Sequence, residues 1–392
     1  MQDTVTIAQP VRSEAKTSAT IPWYLWCSAL AVTSVAIGGQ WDVSWHRSIG
    51  RDTFWTPAHM AIYLCGVLAG IACGYLILYT TFWRPPRMVA SSVRVMGFTG
   101  PLGAFLAAWG GIAMLTSAPF DNWWHNAYGL DVKIVSPPHT LLMIGIIAIK
   151  IGTLLLILAA MNRLEGQSDR QRPLRRLFLY VGGTLLILLM FFNMEFTWDV
   201  MLHRADPYIA LSISIPLCFA VIWKASRARW AATTIAAIYT LGIIAMILVL
   251  PLFPAEPKLG PVFQPITHFV PPKFPILIVV PAVLLDLLWA RVGKLNSLLV
   301  AAVSGPVFVM GLVASEWPFA SFLMTRASEN RFFATGYHSY DTPSWSVEVM
   351  RSFISPQYGW ELWRGLAMAM LYAAIGVWLG MLAGGWMRKV QR

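Results

Sequence analysis

The sequence predicts an all-α polytopic membrane protein of about ten transmembrane helices, and three observations carry that prediction. Apolar runs of about 17 to 25 residues, the length a helix needs to cross a hydrocarbon core of about 30 Å, recur along the whole 392-residue chain. Hydrophobic residues make up 57% and charged ones 12%, with a mean hydropathy of +0.61, a balance foreign to a soluble domain of this size. The basic residues then concentrate in every second loop. Strands are excluded because the runs are continuously apolar, and only a helix satisfies its own backbone in lipid one segment at a time.

Taken in order, residues 1–20 are polar and mixed in charge and read as a disordered cytoplasmic tail. The first span, 22–40, is longer than a signal-peptide core and has no clear small-residue cleavage site, so it is expected to stay. The second, 57–82, opens at Thr56-Pro57, an N-cap followed by Pro at the first helical position; the fourth, 137–161, opens in the same way at Ser136-Pro137. Between them lies 96–119. The fifth, 175–197, follows an Arg-rich segment, and the short sixth, 207–223, leads to 230–253, 273–290 and 297–316. A long outer loop, 317–364, exceeds what a simple connector needs and is expected to cover the outer face before the last span, 365–386, and its basic tail. By region, 21–165 carries the duplicated units described below, 166–316 holds further spans, and 365–392 ends the chain.

Of the 29 Lys and Arg residues, 18 lie in the N-terminus and every second loop after it. The positive-inside rule therefore predicts a multi-pass protein with both termini cytoplasmic, and the membrane expected is a bacterial or archaeal cell (inner) membrane. The net charge of +11 is a topology signal spread over short loops, which excludes a nucleic-acid-binding stripe. Cys27, Cys65, Cys73 and Cys218 fall within spans and read as small apolar packing residues.

Internal repetition carries the chemistry. Asp42, Trp45, His46, Gly50, Asp52, Pro57 and His59 reappear as Asp121, Trp124, His125, Gly129, Asp131, Pro137 and His139, and WDVMLHR at 198–204 repeats WDVSWHR at 41–47. The unit is a duplicated helical hairpin whose ends face outward. Asp42 and His46 are four residues apart, so a helix that runs on past residue 40 projects both from one face. His59 and His139 fall in the first turn of the returning helix. Each unit thus converges one carboxylate and two imidazoles, leaving coordination positions open: Asp42, His46 and His59 in the first, Asp121, His125 and His139 in the second. Such a set suits a divalent transition metal, copper by affinity, with zinc or non-haem iron as alternatives.

The pattern D-x3-H-x12-H within DVSWHRSIGRDTFWTPAH, followed by a second triad with x13 between its histidines, resembles the C-type subunit of the copper membrane monooxygenases, the particulate methane and ammonia monooxygenase family. The likeness covers roughly residues 20–165. It implies copper at both triads and assembly with the family's A-type and B-type subunits to oxidise a small apolar substrate or ammonia with O2. Trp45, Trp55, Trp123 and Trp124 are then expected to form an apolar pocket. The sequence departs from the family at Asp121, where the family has Asn; the added charge favours a divalent cation. A non-catalytic membrane protein handling copper or zinc is the alternative function.

Asp199 and His203 repeat the helical pair, but LSISIPL offers no third ligand, so they are at most a supplement to a neighbouring centre. His268 and His338 with Asp341 belong to outer loops and read as structural. Lys150, Glu195 and Asp286 are charges in or near spans, which face a bundle interior or a water path rather than lipid.

Overall fold

The computed structural model describes residues 21–129, 136–193, 202–343, 345 and 356–392. It is an all-α polytopic membrane fold, and eight of its described helices are long and apolar enough to cross a bilayer. Helix α1 (Trp23–Ser48) returns as α2 (Pro57–Phe82), which leads through the short α3 (Pro86–Ala90) to the hairpin β1 (Val93–Val95) and β2 (Phe98–Gly100). There follow α4 (Leu102–Tyr128), α5 (Pro137–Asn162), α6 (Ser168–Phe191), α7 (Ala205–Ser226), α8 (Ala231–Val249), α9 (Val279–Val292), α10 (Ser297–Leu323) and α11 (Gly359–Met387).

Two predicted spans fall short of those eight for different reasons. Trp, Tyr, Ser and Thr dilute the apolar part of α1, which then continues into polar sequence to Ser48. The predicted span 273–290 becomes helical only at Val279, because Pro271, Pro272 and Pro275 keep the preceding chain out of the helix. The remaining 14 residues of α9 rise about 21 Å, less than a hydrocarbon core. The predicted span at 96–119 also shifts. Met96 and Gly97, both at positive φ, make the hairpin turn, so α4 starts at Leu102 and runs on to Tyr128.

Helices α1, α2, α4 and α5 form a contiguous group, with α2 against both α1 and α4, and α5 against α4. Glycines bring α4 and α5 together backbone to backbone. A Cβ on Gly103 would lie 2.4 Å from the Gly152 carbonyl oxygen and one on Gly145 2.7 Å from that of Gly110. In lipid, where apolar surface gives helices little reason to associate, such close approach is what van der Waals packing requires. Helix α11 packs on α7 by the same device, with Gly380 and Gly384 against the carbonyls of Leu217 and Val221.

The intramembrane charges are absorbed structurally. Asp286 accepts from the backbone N–H groups of Ala232 and Thr233 and from the Thr233 hydroxyl, anchoring the start of α8. Fully buried Lys150 donates to the carbonyls of Val32 on α1 and Thr184 on α6, tying α5 to both. Cys65, Cys73 and Cys218 are buried and all four cysteines are free thiols. The tail 1–20, Glu195 and part of the long outer loop lie outside the described residues.

Candidate metal centres

Both candidate centres lie at the same end of the helix bundle, each between the C-terminal end of one helix and the N-terminal turn of the next. The repeated glycines explain where the outgoing helices stop. Gly50 (φ +82°) and Gly129 (φ +99°) occupy the left-handed half of backbone space at matched positions, just past α1 and at the C-terminus of α4. The repeated prolines, Pro57 and Pro137, open the returning helices. Ser136 caps α5 as its sequence predicts, accepting from the His139 N–H. Thr56 does not cap α2. Its hydroxyl turns back to accept from the Thr53 N–H at 2.8 Å and holds the connecting loop instead.

The first triad converges as predicted. His59 Nε2 lies 3.2 Å from Asp42 Oδ1, and His46 Nε2 lies 3.9 Å from Asp42 Oδ2. One ligand atom from each of the three residues falls within 4.8 Å of the others. His59 Nδ1 faces the Thr53 carbonyl at 2.9 Å, which fixes the ring with Nε2 toward Asp42, the usual way a second ring nitrogen orients a ligating imidazole. The His59 side chain is 15% exposed and that of His46 49%, so the centre has one sheltered and one open side.

The second triad repeats the geometry. Asp121 Oδ2 is 3.4 Å from His125 Nε2 and Asp121 Oδ1 is 3.4 Å from His139 Nε2. His125 Nδ1 faces the Gly129 carbonyl at 3.4 Å, in the role that the Thr53 carbonyl plays for His59.

The donor sets fit a cation. Ligands held 2.0–2.2 Å from a tetrahedral metal stand about 3.3–3.6 Å apart; the Asp–His separations are 3.4 Å in the second triad and 3.2 and 3.9 Å in the first. Asp42 Oδ1 and Asp121 Oδ1 are buried and accept no hydrogen bond among the described residues, although an imidazole nitrogen is close to each. A protonated imidazole or a shared metal ion can each satisfy such an oxygen; while the neutral His59 ring donates from Nδ1 to the Thr53 carbonyl, its Nε2 has no proton to give and a metal ion fills that role. Two imidazoles with carboxylate suit copper(II), zinc or iron(II) more than a soft monovalent ion.

Two residues outside the predicted triads belong to this region. Asp52 Oδ2 lies 3.5 Å from His46 Nε2 and 3.4 Å from His59 Nε2. Its signal in the sequence is its place in the repeat, opposite Asp131, which lies outside the described residues. Tyr63, one turn along α2 from His59, has its ring centroid 6.0 Å from the imidazole and lies within electrostatic reach of Asp42, Asp52 and Asp121. Nothing in its sequence context, an apolar span, marks it.

The third, partial repeat is different. Asp199 lies outside the described residues, and His203 Nε2 is engaged by the Ser321 hydroxyl at 2.8 Å and the Trp317 carbonyl at 3.1 Å, joining the start of α7 to α10. Burial holds the His203 imidazole below its ordinary pKa, consistent with a neutral structural ring. His268 meets the Thr267 hydroxyl in an exposed loop. Among the described residues the four tryptophans are not gathered around one pocket: Trp45 packs on Phe269, Trp124 lies against Trp123 and Tyr128, and Trp55 and Trp123 are exposed.

The end of α1 is gripped from outside the hairpin. Arg47 donates to the Pro271 carbonyl at 2.7 Å, the Val270 N–H donates to the Ser48 hydroxyl at 2.7 Å, and Ser44 donates to the Val270 carbonyl. The N–H groups of Lys258 and Tyr340 donate to the carbonyls of Ile49 and Arg47, which α1 itself leaves without partners. The segment between α8 and α9, together with Tyr340 from the described part of the loop after α10, thus packs onto the helix that carries Asp42 and His46.

Compared with protein-family profiles, with curated proteins and with solved structures, the chain matches none.

Proposed function

We propose that this chain is the copper-binding membrane component of a monooxygenase-type assembly that oxidises a small substrate, ammonia, methane or a short hydrocarbon, with O2. The observation that carries this reading is the convergence of two matched Asp-His-His sets at the same end of the bundle, at the unequal spacings that produced the resemblance. Copper, when bound, supplies redox chemistry toward O2. The chain's part is to hold the ion through the Nε2 atoms of His46, His59, His125 and His139 and the carboxylates of Asp42 and Asp121. The carbonyls of Thr53 and Gly129 fix ring orientation. Monooxygenase proteins of the A-type and B-type are the partners this reading requires.

A second reading, metal handling at the membrane surface without turnover and with copper or zinc as cargo, is favoured by the exposure of His46, which suits ion exchange. The deciding experiment measures oxygen consumption and product formation from ammonia or short alkanes in copper-loaded membranes carrying the chain with the proteins encoded beside it. Coupled consumption and product, lost in His59→Ala, are expected. Their absence with copper shown to be loaded overturns the oxygenase reading in favour of handling.

The same reading sets both centres on the outer face of a cell membrane, with both termini cytoplasmic. A cysteine at Arg51 or Tyr128, both exposed, is expected to react with a membrane-impermeant thiol reagent in intact cells. Reaction only after membrane disruption reverses the orientation.

A further inference from the structure

The loop between α1 and α2 is built around Asp52. Gly50 reverses the chain, the Trp45 indole N–H donates to the Arg51 carbonyl at 3.0 Å, and the Thr53 N–H donates to the Thr56 hydroxyl. With both neighbours pinned, the Asp52 side chain, 17% exposed, reaches the Nε2 atoms of both histidines at 3.4 and 3.5 Å. Which nitrogen it faces decides its role. A carboxylate that merely orients a ligating imidazole contacts the ring nitrogen turned away from the metal. On His59 that nitrogen is Nδ1, and the Thr53 carbonyl already faces it. Asp52 instead faces the same nitrogens as Asp42 does, on the metal-binding edge of the rings.

We propose that Asp52 is a fourth ligand of the first centre, which becomes a two-imidazole, two-carboxylate site selective for divalent over monovalent cations. The proposal rests on the metal-binding reading above and concerns the first centre alone. Its physical basis is charge. Two carboxylates balance a divalent ion, whereas a monovalent ion leaves one negative charge in a partly sheltered position, and hard oxygen donors disfavour soft monovalent ions further. The loop that supplies Asp52 thereby sets which oxidation state or which metal the first centre retains.

The test uses the full-length protein in lipid nanodiscs with His125→Ala to silence the second triad, and Co2+, Zn2+ and Ag+ as probes, Ag+ standing for a soft monovalent ion. Asp52→Asn keeps the size and removes the charge. It is expected to weaken Co2+ and Zn2+ binding by more than about tenfold, beyond the lower end of what an orienting partner contributes, to leave Ag+ binding much less changed, and to shift the visible absorption of bound Co2+. If Asp52→Asn binds all three ions with unchanged affinity and spectrum, Asp52 is not a ligand, while the metal reading stands. An equal loss of all three ions also overturns the assignment, because a disrupted loop and not a missing charge is then responsible; Asp52→Glu, which keeps the charge, should restore divalent preference. If the protein with Asp52 intact binds none of the probes, the metal reading itself fails.

Discussion

His59→Ala is expected to empty the first centre while leaving the second filled, and His139→Ala to do the converse. Each triad holds its own carboxylate and two imidazoles on its own hairpin, and no ligand is shared between them. His59 is the more revealing choice in the first centre because it is the sheltered imidazole, oriented by a backbone carbonyl and facing both Asp42 and Asp52. Its removal leaves two carboxylates with only the exposed His46. The expected loss of affinity exceeds the roughly 10–100-fold cost of deleting an orienting partner. Metal content of the purified protein in native-like lipid reads the outcome. If either substitution empties both positions, the two triads form one coupled centre, with Tyr63 and the α2–α4 contact as the place to look for the coupling.

The second large effect is expected far from any ligand. Gly145→Ala places a methyl group 2.7 Å from the Gly110 carbonyl oxygen and 2.8 Å from Met114 Cγ, inside van der Waals contact, so α4 and α5 must move apart. Overpacking of this kind costs about 1–3 kcal/mol. Because Asp121 and His125 ride on α4 and His139 on α5, separation of the pair opens the second triad, and metal there should fall while the first centre keeps its ion. The matched control is Gly70→Ala on α2, where a Cβ meets nothing within 4 Å. It should be neutral, or gain up to about 1 kcal/mol from helix propensity. Thermal unfolding in detergent or nanodiscs, with metal analysis of both variants, checks the pair. A Gly145→Ala protein as stable and as fully loaded as the control would show that the close α4–α5 approach does not govern the site.

These cases mark what sequence reading reaches in this chain. Pro57 and Pro137 announce their helices because the ring fixes the first helical φ locally, and both helices begin at those residues. The convergence of Asp42 with His46 follows from helical spacing once α1 continues to Ser48. What depends on contacts between distant segments is illegible in sequence. The glycines of α4 and α5 look like ordinary small residues until the helices are docked, and His203 looks like half of a third ligand pair until Ser321 and the Trp317 carbonyl engage it. Thr56 departs from expectation for a local reason. A local rule assigns it to α2, while a competing local acceptor role in the loop draws its hydroxyl away. Asp52 is visible in the repeat, but only the path of its loop shows which edge of the imidazoles it faces.

The grip on the end of α1 has a consequence for how the protein can be divided. Every residue of both triads lies before Asn162, so a chain cut after α5 would keep all six triad residues. It would lose Lys258, Val270, Pro271, Ser339 and Tyr340, which together hold the last turn of α1. The helix end that carries Asp42 and His46 is thus held by sequence that arrives more than 200 residues after Asp42. The first hairpin therefore depends on contacts from residues 258–340 to hold the last turn of α1, whereas the second is clasped by glycine contacts between its own two helices.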